Sequence, residues 1–203
     1  KEDGTLWSWG SNSNGWLGLN DTNYRSSPTQ IGSSTDWDIS RYKLGDGLQT
    51  NHAIKTDGTL WGWGRNWYGS LGLNQPGATY YSSPVQIPGT TWSKLKSGGK
   101  DNILATKTDG TLWTWGRNDY GESGQNNRTN YSSPVQIPGT DWATPLINGG
   151  GVNGAIKTNG ELWVFGRNNH GQLGQNSVVA YSSPVQIPGT NWERINVGYK
   201  AMH

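Results

Sequence analysis

Short apolar runs alternate with glycine-rich polar stretches along the whole chain, and no run has the 3.6-residue period of an amphipathic helix. One such run, Ala53–Lys55, continues through Thr-Asp-Gly-Thr into a second run, Leu60–Trp63. An Asp-Gly pair between two strand-forming runs predicts a β-hairpin, because both turn residues tolerate positive φ. Trp61 and Trp63 are two residues apart and are therefore expected on one face of their strand.

Two more strands are predicted after this hairpin. Pro84 and Pro88 bracket the short run Val85–Ile87, and a proline is tolerated only at an end or an edge of a sheet. Trp92 then opens the run Lys94–Lys96, which we interpret as the last strand of the unit. Because no capped helical pattern occurs, the chain is predicted to be almost all β.

The same pattern of strands and turns occurs four times. The motif Asp/Asn-Gly-x-Leu-Trp-x-Trp/Phe-Gly begins at Asp3, Asp57, Asp109 and Asn159. Its first glycines are separated by 54, 52 and 50 residues, and each copy continues with Asn-x-x-Gly-x-x-Gly and Ser-Ser-Pro-x-Gln-Ile. Each copy ends with a lone tryptophan, at Trp37, Trp92, Trp142 or Trp192. We therefore predict a single repeat array over residues 1–203, with approximate repeats 1–52, 53–104, 105–154 and 155–203.

A unit of about 50 residues with four short antiparallel strands has the size of a β-propeller blade. Such a small sheet buries both faces only against neighbouring blades. We therefore expect the two aromatic residues of each Leu-Trp-x-Trp/Phe strand to fill the space between blades, and the lone tryptophan to pack on the outer side. The predicted fold is an all-β propeller built from blades of four short antiparallel strands.

Composition supports an aromatic core and excludes several classes of protein. The 203 residues include 13 Trp and 31 Gly but a single Phe, and buried indoles can replace missing aliphatic side chains. The net charge is only +2 and the basic residues are scattered, so nucleic acid is not an expected partner. No apolar run is long enough to cross a bilayer, so membrane insertion is not expected. The absence of Cys excludes disulfide scaffolds and thiolate zinc sites.

The motif Asp-Gly-Thr-Leu-Trp-x-Trp-Gly-x-Asn-x-x-Gly-x-Leu-Gly, followed by Pro-x-x-Ile-x-Gly, resembles the repeat of the regulator of chromosome condensation family. The resemblance covers essentially the whole chain, four times over. It implies blades of a larger propeller, since members of that family typically have seven. The form with Ser-Ser-Pro-Val-Gln-Ile-Pro-Gly is similar to versions in bacterial and phage surface proteins.

Four repeats are fewer than seven, and the ends of the chain fall short of joining in register. Joining them would leave 9 residues from Gly198 to Gly4, against 12 and 13 in the matching internal stretches. We therefore expect part of a longer array in preference to a closed ring of four blades. Unpaired edge strands are avoided in natural proteins, so further blades or a partner chain are expected at the open edges.

The sequence contains no catalytic constellation. Three histidines, His52, His170 and His203, lie at different offsets in their repeats, so a shared metal site is not expected. The aspartate of the hairpin turn in the first three copies is replaced by Asn159 in the fourth. Aspartate and asparagine are interchangeable in a turn but not as a general acid, so this position is interpreted as a turn residue. We therefore predict a non-enzymatic protein with no catalytic residue, metal or cofactor.

Binding residues are expected in the loop that follows each Gly-x-Asn motif. The two residues after this motif differ in every copy: Ser13-Asn14, Trp67-Tyr68, Asp119-Tyr120 and Asn169-His170. Trp16 adds another aromatic ring, and an arginine recurs at one offset as Arg65, Arg117 and Arg167. Aromatic and adaptable polar residues together are typical of recognition surfaces. The alternatives are that the rings pack locally over the loop glycines and that the arginines bridge to neighbouring blades.

The leading hypothesis is a scaffold and binding module of an extracellular, cell-surface or virion-surface protein, such as an adhesion protein or a phage tail fibre. Its variable loops would contact a protein or a receptor. A glycan-binding lectin is an alternative, because Trp and Tyr rings beside Asn, Asp and Arg suit sugars. The resemblance implies a further alternative, since the named family member is a nucleotide exchange factor for a small GTPase and another relative resembles a β-lactamase inhibitor. Resemblance to the exchange factor implies a segment that protrudes between strands as a wedge. The repeats are spaced by 50–54 residues, which leaves no room for such an insertion.

Overall fold

The computed structural model describes residues 1–40, 42–46, 49–75, 77, 79–98, 101–147 and 150–193. These residues form antiparallel sheets whose strands are hydrogen-bonded in chain order. Sheet 1 contains β1 (Trp7–Gly10) and β2 (Arg25–Gln30), and sheet 2 contains β3 (Leu44–Asp46), β4 (Thr50–Ile54), β5 (Leu60–Arg65) and β6 (Tyr80–Ile87). Sheet 3 contains β7 (Trp92–Gly98), β8 (Asn102–Lys107), β9 (Leu112–Gly116) and β10 (Tyr131–Ile137). Sheet 4 contains β11 (Trp142–Ile147), β12 (Val152–Lys157), β13 (Leu162–Gly166) and β14 (Tyr181–Ile187). The prediction of all-β, four-stranded antiparallel units is confirmed.

Sheets 3 and 4 begin at the lone tryptophan. Trp92 opens β7 and Trp142 opens β11, so the interpretation of this segment as the last strand of its unit was wrong. A repeat has no unique starting point in sequence, and the pattern alone does not show which strands share hydrogen bonds. The repeat boundaries drawn after residues 52, 104 and 154 accordingly lie within β4, β8 and β12.

The second and third strands of each complete sheet form the predicted hairpin. In sheet 2, β4 pairs antiparallel with β5, and Ala53 lies opposite Trp61. The turn is closed by Asp57, whose Oδ1 accepts a hydrogen bond from the Thr59 backbone N–H at 2.9 Å. Pro84 lies inside β6 instead of before a three-residue strand. The proline is tolerated there because β6 is an edge strand.

The first strands of neighbouring sheets lie side by side. The Leu95 N–H of β7 donates to the Tyr42 carbonyl just before β3 at 2.7 Å, and Lys94 Nζ donates to the Ala143 carbonyl of β11 at 2.7 Å. A Cβ atom on Gly45 of β3 would lie 2.6 Å from a Leu95 methyl carbon, so a larger residue would require the buried Leu95 side chain to shift. The sheets therefore converge along their first strands, as propeller blades do.

Each interface joins an aliphatic face of one sheet to an aromatic face of the next. Between sheets 2 and 3, the buried residues are Ile54, Leu60 and Ile87 from sheet 2 and Trp92, Leu95, Ile103, Ala105 and Trp115 from sheet 3. Trp115 is fully buried, and its Nε1–H donates to the Ser70 carbonyl of the preceding unit at 2.9 Å. The second aromatic residue of the Leu-Trp-x-Trp strand therefore lies between blades, as expected.

The lone tryptophan does not pack on the outer side as predicted. Trp92 is 1% exposed, and its ring lies edge-on to Trp113 and Trp115 at centroid distances of 6.2 and 5.8 Å. It is buried because it stands in the first strand of the same sheet, where it extends the aromatic face. Trp61 and Trp113, which were expected between blades, are only half-buried, and Trp113 Nε1 donates to Thr111 Oγ1 at 2.8 Å.

Sheet 1 shows the aromatic face without a sheet packed on it. Trp9 is 61% exposed, whereas the equivalent Trp63 of sheet 2 is 4% exposed. Within the ranges that the structure describes, β1 pairs with β2 alone. A further blade or a partner chain over this face stays a prediction.

His52 is buried at the interface between sheets 2 and 3, at the position that Leu104 occupies in sheet 3. Its ring centroid lies 6.0 Å from that of Trp115, and its Nε2 lies 3.1 Å from the Ser70 carbonyl oxygen. Burial lowers the pKa of His52 to about 4, although the hydrogen bond to Ser70 opposes the shift. The imidazole is therefore a neutral packing group near pH 7.

This buried histidine predicts a loss of stability in acid. Its pKa falls from 6.5 to about 4 on folding, so the unfolded chain binds the proton first as the pH falls. The free energy of unfolding should drop by up to about 3 kcal/mol across this window. Urea unfolding followed by circular dichroism measures the drop, with His52→Leu as the control. The variant should lose this part of the pH dependence, and equal pH slopes in both proteins would contradict the assignment.

Candidate functional site

A buried asparagine organises the loop that follows each of the strands β1, β5, β9 and β13. The four residues are Asn12, Asn66, Asn118 and Asn168, each 0% exposed. Each side-chain oxygen accepts the backbone N–H five residues later, at 2.8, 2.9, 2.8 and 2.8 Å in chain order. Each side-chain amide donates to the carbonyl nine residues later, at 2.9, 2.8, 3.1 and 2.8 Å. The frame is therefore constant, while the two residues after each asparagine vary.

In the second loop this frame presents two aromatic side chains to solvent. Trp67 and Tyr68 are 40% and 37% exposed, although both are large and partly apolar. Tyr68 has a φ of +56°, a left-handed conformation that is uncommon for a residue other than glycine. The Arg65 guanidinium lies over the Trp67 ring and hydrogen-bonds to the Gln49 side chain. A cation–π contact thus positions the indole without burying it.

Arginines of the next two sheets continue this arrangement. The guanidinium carbon of Arg117 lies 5.0 Å from the centre of the Tyr68 ring, and that of Arg167 lies 5.2 Å from the centre of the Tyr120 ring. Each contact joins a loop of one blade to the next blade, which is the bridging role considered for these arginines. We call this surface the aromatic arc, and it consists of Arg65, Trp67, Tyr68, Arg117, Tyr120 and Arg167.

Acidic side chains lie near two arginines of the aromatic arc, Arg65 and Arg117. Arg117 forms an ion pair with Asp119 at 2.5 Å. Partial burial by itself would lower the pKa of Arg117, but the hydrogen bond and the charge of Asp119 outweigh it and raise that pKa. Burial raises the pKa of Asp101, against the opposing charges of Arg65 and Arg117. Arg117 is therefore paired with a carboxylate, and the exposed rings of Trp67 and Tyr68 are the distinctive feature of the aromatic arc.

Glu122 is a buried carboxylate behind the aromatic arc and is 1% exposed. Its Oε2 accepts a hydrogen bond from the Tyr120 backbone N–H at 2.7 Å. In the equivalent loop of sheet 4, Gln172 Oε1 accepts the His170 backbone N–H at 2.8 Å. Burial raises the pKa of Glu122, and the hydrogen bond from Tyr120 opposes this shift. A Cβ atom on Gly151 would lie 2.9 Å from Glu122 Oε1. This side chain therefore positions the loop that carries Tyr120.

The remaining predicted site residues divide into two groups. Asn169 and His170 are exposed beside the end of the aromatic arc, and Asn169 Oδ1 accepts a hydrogen bond from Arg167 Nε at 2.8 Å. Trp16 is half-buried between sheets 1 and 2, where its carbonyl accepts the Trp63 indole N–H at 3.0 Å. The structure thus places Trp16 in the packing between sheets 1 and 2, where its ring lies 3.4 Å from the Cβ position of Gly64.

Sequence reasoning missed three residues of this surface, namely Gln49, Asp101 and Glu122. Gln49 and Asp101 lie in turns between first and second strands, where no motif recurs. Their carbonyls accept the backbone N–H of Arg65 at 2.8 Å and of Arg117 at 2.9 Å. Glu122 carried a usable signal, because it directly follows a motif glycine at a position that varies among the copies.

Within the described ranges, no group of three His, Cys, Asp or Glu side chains could hold a metal ion. His52 is buried at a blade interface and His170 is exposed in a loop, whereas His203 lies outside the described residues. No helix in the part of the chain that the structure describes has the length and apolarity to cross a membrane.

Comparison with protein families agrees with the repeated motif and the sheets. The family model of the regulator of chromosome condensation (RCC1) repeat matches residues 3–49, 57–100, 109–144 and 159–200. The chain belongs to the RCC1 repeat family. The matched segments fall on all four repeats, which confirms the resemblance drawn from the motif.

RCC1-type proteins with known sequences or structures resemble this chain over part of their length. The Ultraviolet-B receptor UVR8 of Arabidopsis thaliana is 32% identical over 123 residues, which are 60% of this chain and 27% of the receptor. The crystal structure of human WBSCR16 gives a TM-score of 0.77 at 23% identity, over 94% of this chain and 50% of that chain. The crystal structure of Prp20p from Saccharomyces cerevisiae also gives a TM-score of 0.77, at 17% identity. That match covers 92% of this chain and 47% of the Prp20p chain. The chain thus spans about half of these solved chains, and the structural matches establish the shared fold.

Proposed function

We propose that the chain is a non-enzymatic protein-binding module and that the aromatic arc, flanked by Asp119, Asn169 and His170, is its contact surface. The observation that carries this proposal is the exposure of Trp67 and Tyr68 on a loop whose frame is fully buried. Exposed aromatic side chains beside arginine have the composition of binding hot spots.

The contacts between blades also support a binding surface. Arg117 lies over Tyr68, and Arg167 lies over Tyr120, so the rings are held by neighbouring sheets before any ligand arrives. A surface that is positioned in advance loses less side-chain entropy on binding. Prp20p, which has the same fold, is described with binding properties to Gsp1p and histones, and a protein ligand is the expectation for this chain as well.

Removing the exposed rings should separate binding from stability. Trp67→Ala and Tyr68→Ala are each expected to change the free energy of unfolding by less than about 1 kcal/mol, because both side chains lie at the surface and outside the buried clusters. Peptide ligands selected on the wild-type chain from a display library provide the binding probe. Biolayer interferometry should show that each substitution weakens these ligands about tenfold or more.

Val178→Ala and Val179→Ala are the matched controls for this experiment. Both valines are exposed, at 66% and 65%, and lie outside the aromatic arc. Ligands that tolerate Trp67→Ala and Tyr68→Ala but are weakened by the valine substitutions would place the contact surface elsewhere. A library that yields no ligand would count against a protein contact.

A glycan is the second candidate ligand for the same surface. The exposed ring of Trp67 and the neighbouring Asp119, Asn169 and arginines combine stacking with hydrogen bonding, which suits a sugar. A glycan array would favour this alternative if a bound glycan were lost with Trp67→Ala. No bound glycan at millimolar-range sensitivity would reject it.

Two finer parts of the proposal have separate tests. A position at a cell or virion surface is supported by the polar, Asn-rich and Cys-free sequence, and protease treatment of intact cells or particles should then release peptides of this chain. Regulation of a small GTPase is compatible with the Gsp1p binding named for Prp20p. A nucleotide-release assay is expected to show no acceleration, and acceleration would replace the scaffold proposal.

A further inference from the structure

Two equivalent cavities lie between neighbouring sheets, outside the aromatic arc. One of about 350 Å³ lies between sheets 3 and 4, and one of about 390 Å³ lies between sheets 1 and 2. Both volumes fall in the range of small-molecule sites. The same six positions of the repeat line both cavities: Asn126, Trp142, Lys157, Trp163, Ser183 and Pro184 in the first, and Asn20, Trp37, Lys55, Trp61, Ser83 and Pro84 in the second.

A backbone contact between blades forms the rim of each cavity. Asn126 has a φ of +57°, and its N–H donates to the Ser182 carbonyl of the next sheet at 2.7 Å. Asn20 has a φ of +61°, and its N–H donates to the Ser82 carbonyl at 2.7 Å. Each cavity therefore has a left-handed asparagine from one sheet and, from the next sheet, the serine that follows the acceptor.

The wall formed by the later sheet is aromatic. Trp142 and Trp163 pack edge-on, with 6.4 Å between ring centroids and 80° between ring planes. Trp37 and Trp61 have the same distance and angle. Trp163 and Trp61 are half-buried, so part of each indole is accessible from the cavity. With the proline beside it, this wall offers apolar ring surface to the carbon face of a ligand.

The lysine of each cavity is already paired with a carboxylate. Lys157 Nζ lies 3.2 Å from Asp141 Oδ2. Lys55 Nζ lies 3.0 Å from Asp36 Oδ1. A charged ligand would have to give up its hydration beside an ammonium group that is already neutralised, and the partial burial of an uncompensated charge is costly. The two cavities therefore favour an uncharged ligand.

The polar side chains of the rim are available to such a ligand. In the part of the chain that the structure describes, the side-chain amides of Asn20 and Asn126 and the hydroxyls of Ser83 and Ser183 form no hydrogen bond. Both asparagines are exposed. An amide and a hydroxyl can each donate and accept hydrogen bonds. The rim therefore suits a ligand that also carries both donors and acceptors.

The interface between sheets 2 and 3 has the same residue types but pairs its rim groups internally. Ser133 Oγ donates to Asn74 Oδ1 at 3.1 Å. The lysine there, Lys107, lies 4.4 Å from the centre of the Trp113 ring. Among the described residues, no carboxylate lies within ion-pair distance of this lysine. This interface is therefore an internal comparison for the other two.

We propose that the cavities between sheets 1 and 2 and between sheets 3 and 4 each bind an uncharged pyranose. The C–H face of a pyranose would pack on the indole and proline rings, and its hydroxyls would donate to and accept from the rim asparagine and serine. A proline-rich peptide would also match the rings, but proline has no N–H, so the amide oxygen of the asparagine would receive no donor. This sugar site goes beyond the proposed protein contact and shares no residue with the aromatic arc.

A titration of the 203-residue chain with methyl pyranosides tests both cavities. The probes are the methyl glycosides of glucose, galactose, mannose and N-acetylglucosamine. At least one should shift the indole ¹⁵N–¹H resonances of Trp61 and Trp163 saturably, with a millimolar dissociation constant, and the Trp113 resonance should move less. Substitutions of each tryptophan by phenylalanine assign the three resonances. Tetrahydropyran-2-methanol, which keeps the ring but lacks its hydroxyls, is the matched control and should shift none of them.

Two glycine substitutions use each cavity as the control for the other. Asn126→Gly removes the rim amide and keeps the left-handed backbone, which glycine adopts readily. It should weaken the response of Trp163 about threefold to tenfold and leave that of Trp61 unchanged. Asn20→Gly should have the reverse effect. The dispersion of the other indole resonances shows whether each variant is folded.

Four outcomes would overturn the proposal. No pyranoside shifts Trp61 or Trp163, tetrahydropyran-2-methanol binds as tightly as the pyranosides, Trp113 responds as strongly as the other two, or Asn126→Gly fails to weaken the Trp163 response selectively. Acetyl-triproline amide that binds more tightly than every pyranoside would replace the sugar by a proline-rich partner. Because Trp67→Ala and Tyr68→Ala leave both cavities intact, failure of the arc proposal and failure of this one are separate results.

Discussion

Replacing Trp115 with alanine is expected to lower the free energy of unfolding by about 3–5 kcal/mol. The indole is 0% exposed and lies edge-on to Trp92, with 5.8 Å between ring centroids, and to His52, with 6.0 Å. Its removal would leave a cavity at the interface of sheets 2 and 3. It would also remove the hydrogen bond to the Ser70 carbonyl, so two mechanisms of destabilisation act at one position.

Two comparisons separate these mechanisms. Trp115→Phe introduces the residue that sheet 4 carries at this position, Phe165, and should cost only about 1–2 kcal/mol, because the ring volume is mostly kept. Trp113→Ala should cost less than Trp115→Ala, since Trp113 is half-buried and its N–H is paired within its own turn. Urea unfolding followed by far-ultraviolet circular dichroism measures all three. A larger loss for Trp113→Ala than for Trp115→Ala would contradict the assignment of the interior face.

The strands were predictable from sequence, because the signals that define them are local. The Asp-Gly hairpin between Ala53 and Trp61 depends on turn residues that are adjacent in the chain, and the structure has it in that place. The membership of each strand in a sheet was not predictable in the same way. Trp92 lies a few residues after the Ser-Ser-Pro segment of one repeat and a few residues before the hairpin of the next, so the sequence does not show to which sheet it belongs. The pairing of Trp92 with Lys107 shows that it opens β7 of sheet 3.

The candidate site was predictable in its residues but not in its contacts. Trp67, Tyr68 and the recurring arginines stood out because they vary or repeat against a constant frame. The contact of Arg117 with Tyr68 joins residues of different repeats, and no period in the sequence shows which neighbouring ring an arginine meets. The buried Asn118 was noted only as part of a motif, since its role depends on hydrogen bonds to residues five and nine positions later.

The repeated Tyr-Ser-Ser-Pro-Val-Gln-Ile segment has a related explanation in the contacts between blades. A Cβ atom on Gly121, in the loop of sheet 3, would lie 2.5 Å from the Cα of Ser182 in β14. The Asn126 N–H of the same loop donates to the Ser182 carbonyl at 2.7 Å. Gly69 meets Ser132 at 2.4 Å in the same way one interface earlier. The loops of sheets 2 and 3 thus pack directly on the backbone of the last strand of the next sheet.

Gly121→Ala is therefore expected to destabilise the chain by about 2–5 kcal/mol. Gly121 has a φ of +87°, and an L-residue in a left-handed conformation costs roughly 1–2 kcal/mol. The methyl group would also overlap the Ser182 backbone, and relief of such overpacking costs about 1–3 kcal/mol more. Backbone atoms cannot rotate away as a side chain does, so the two sheets would have to separate locally.

Gly171→Ala is the matched control, because Gly171 holds the same motif position with a φ of +74° and the nearest atom to its Cβ position is 3.9 Å away. Gly171→Ala should lower the free energy of unfolding only by the cost of the left-handed backbone conformation, about 1–2 kcal/mol. The difference between the two unfolding free energies then measures the close approach of sheets 3 and 4. Equal losses in the two variants would show that backbone conformation alone requires these glycines, and that the blades tolerate a wider separation than the structure has.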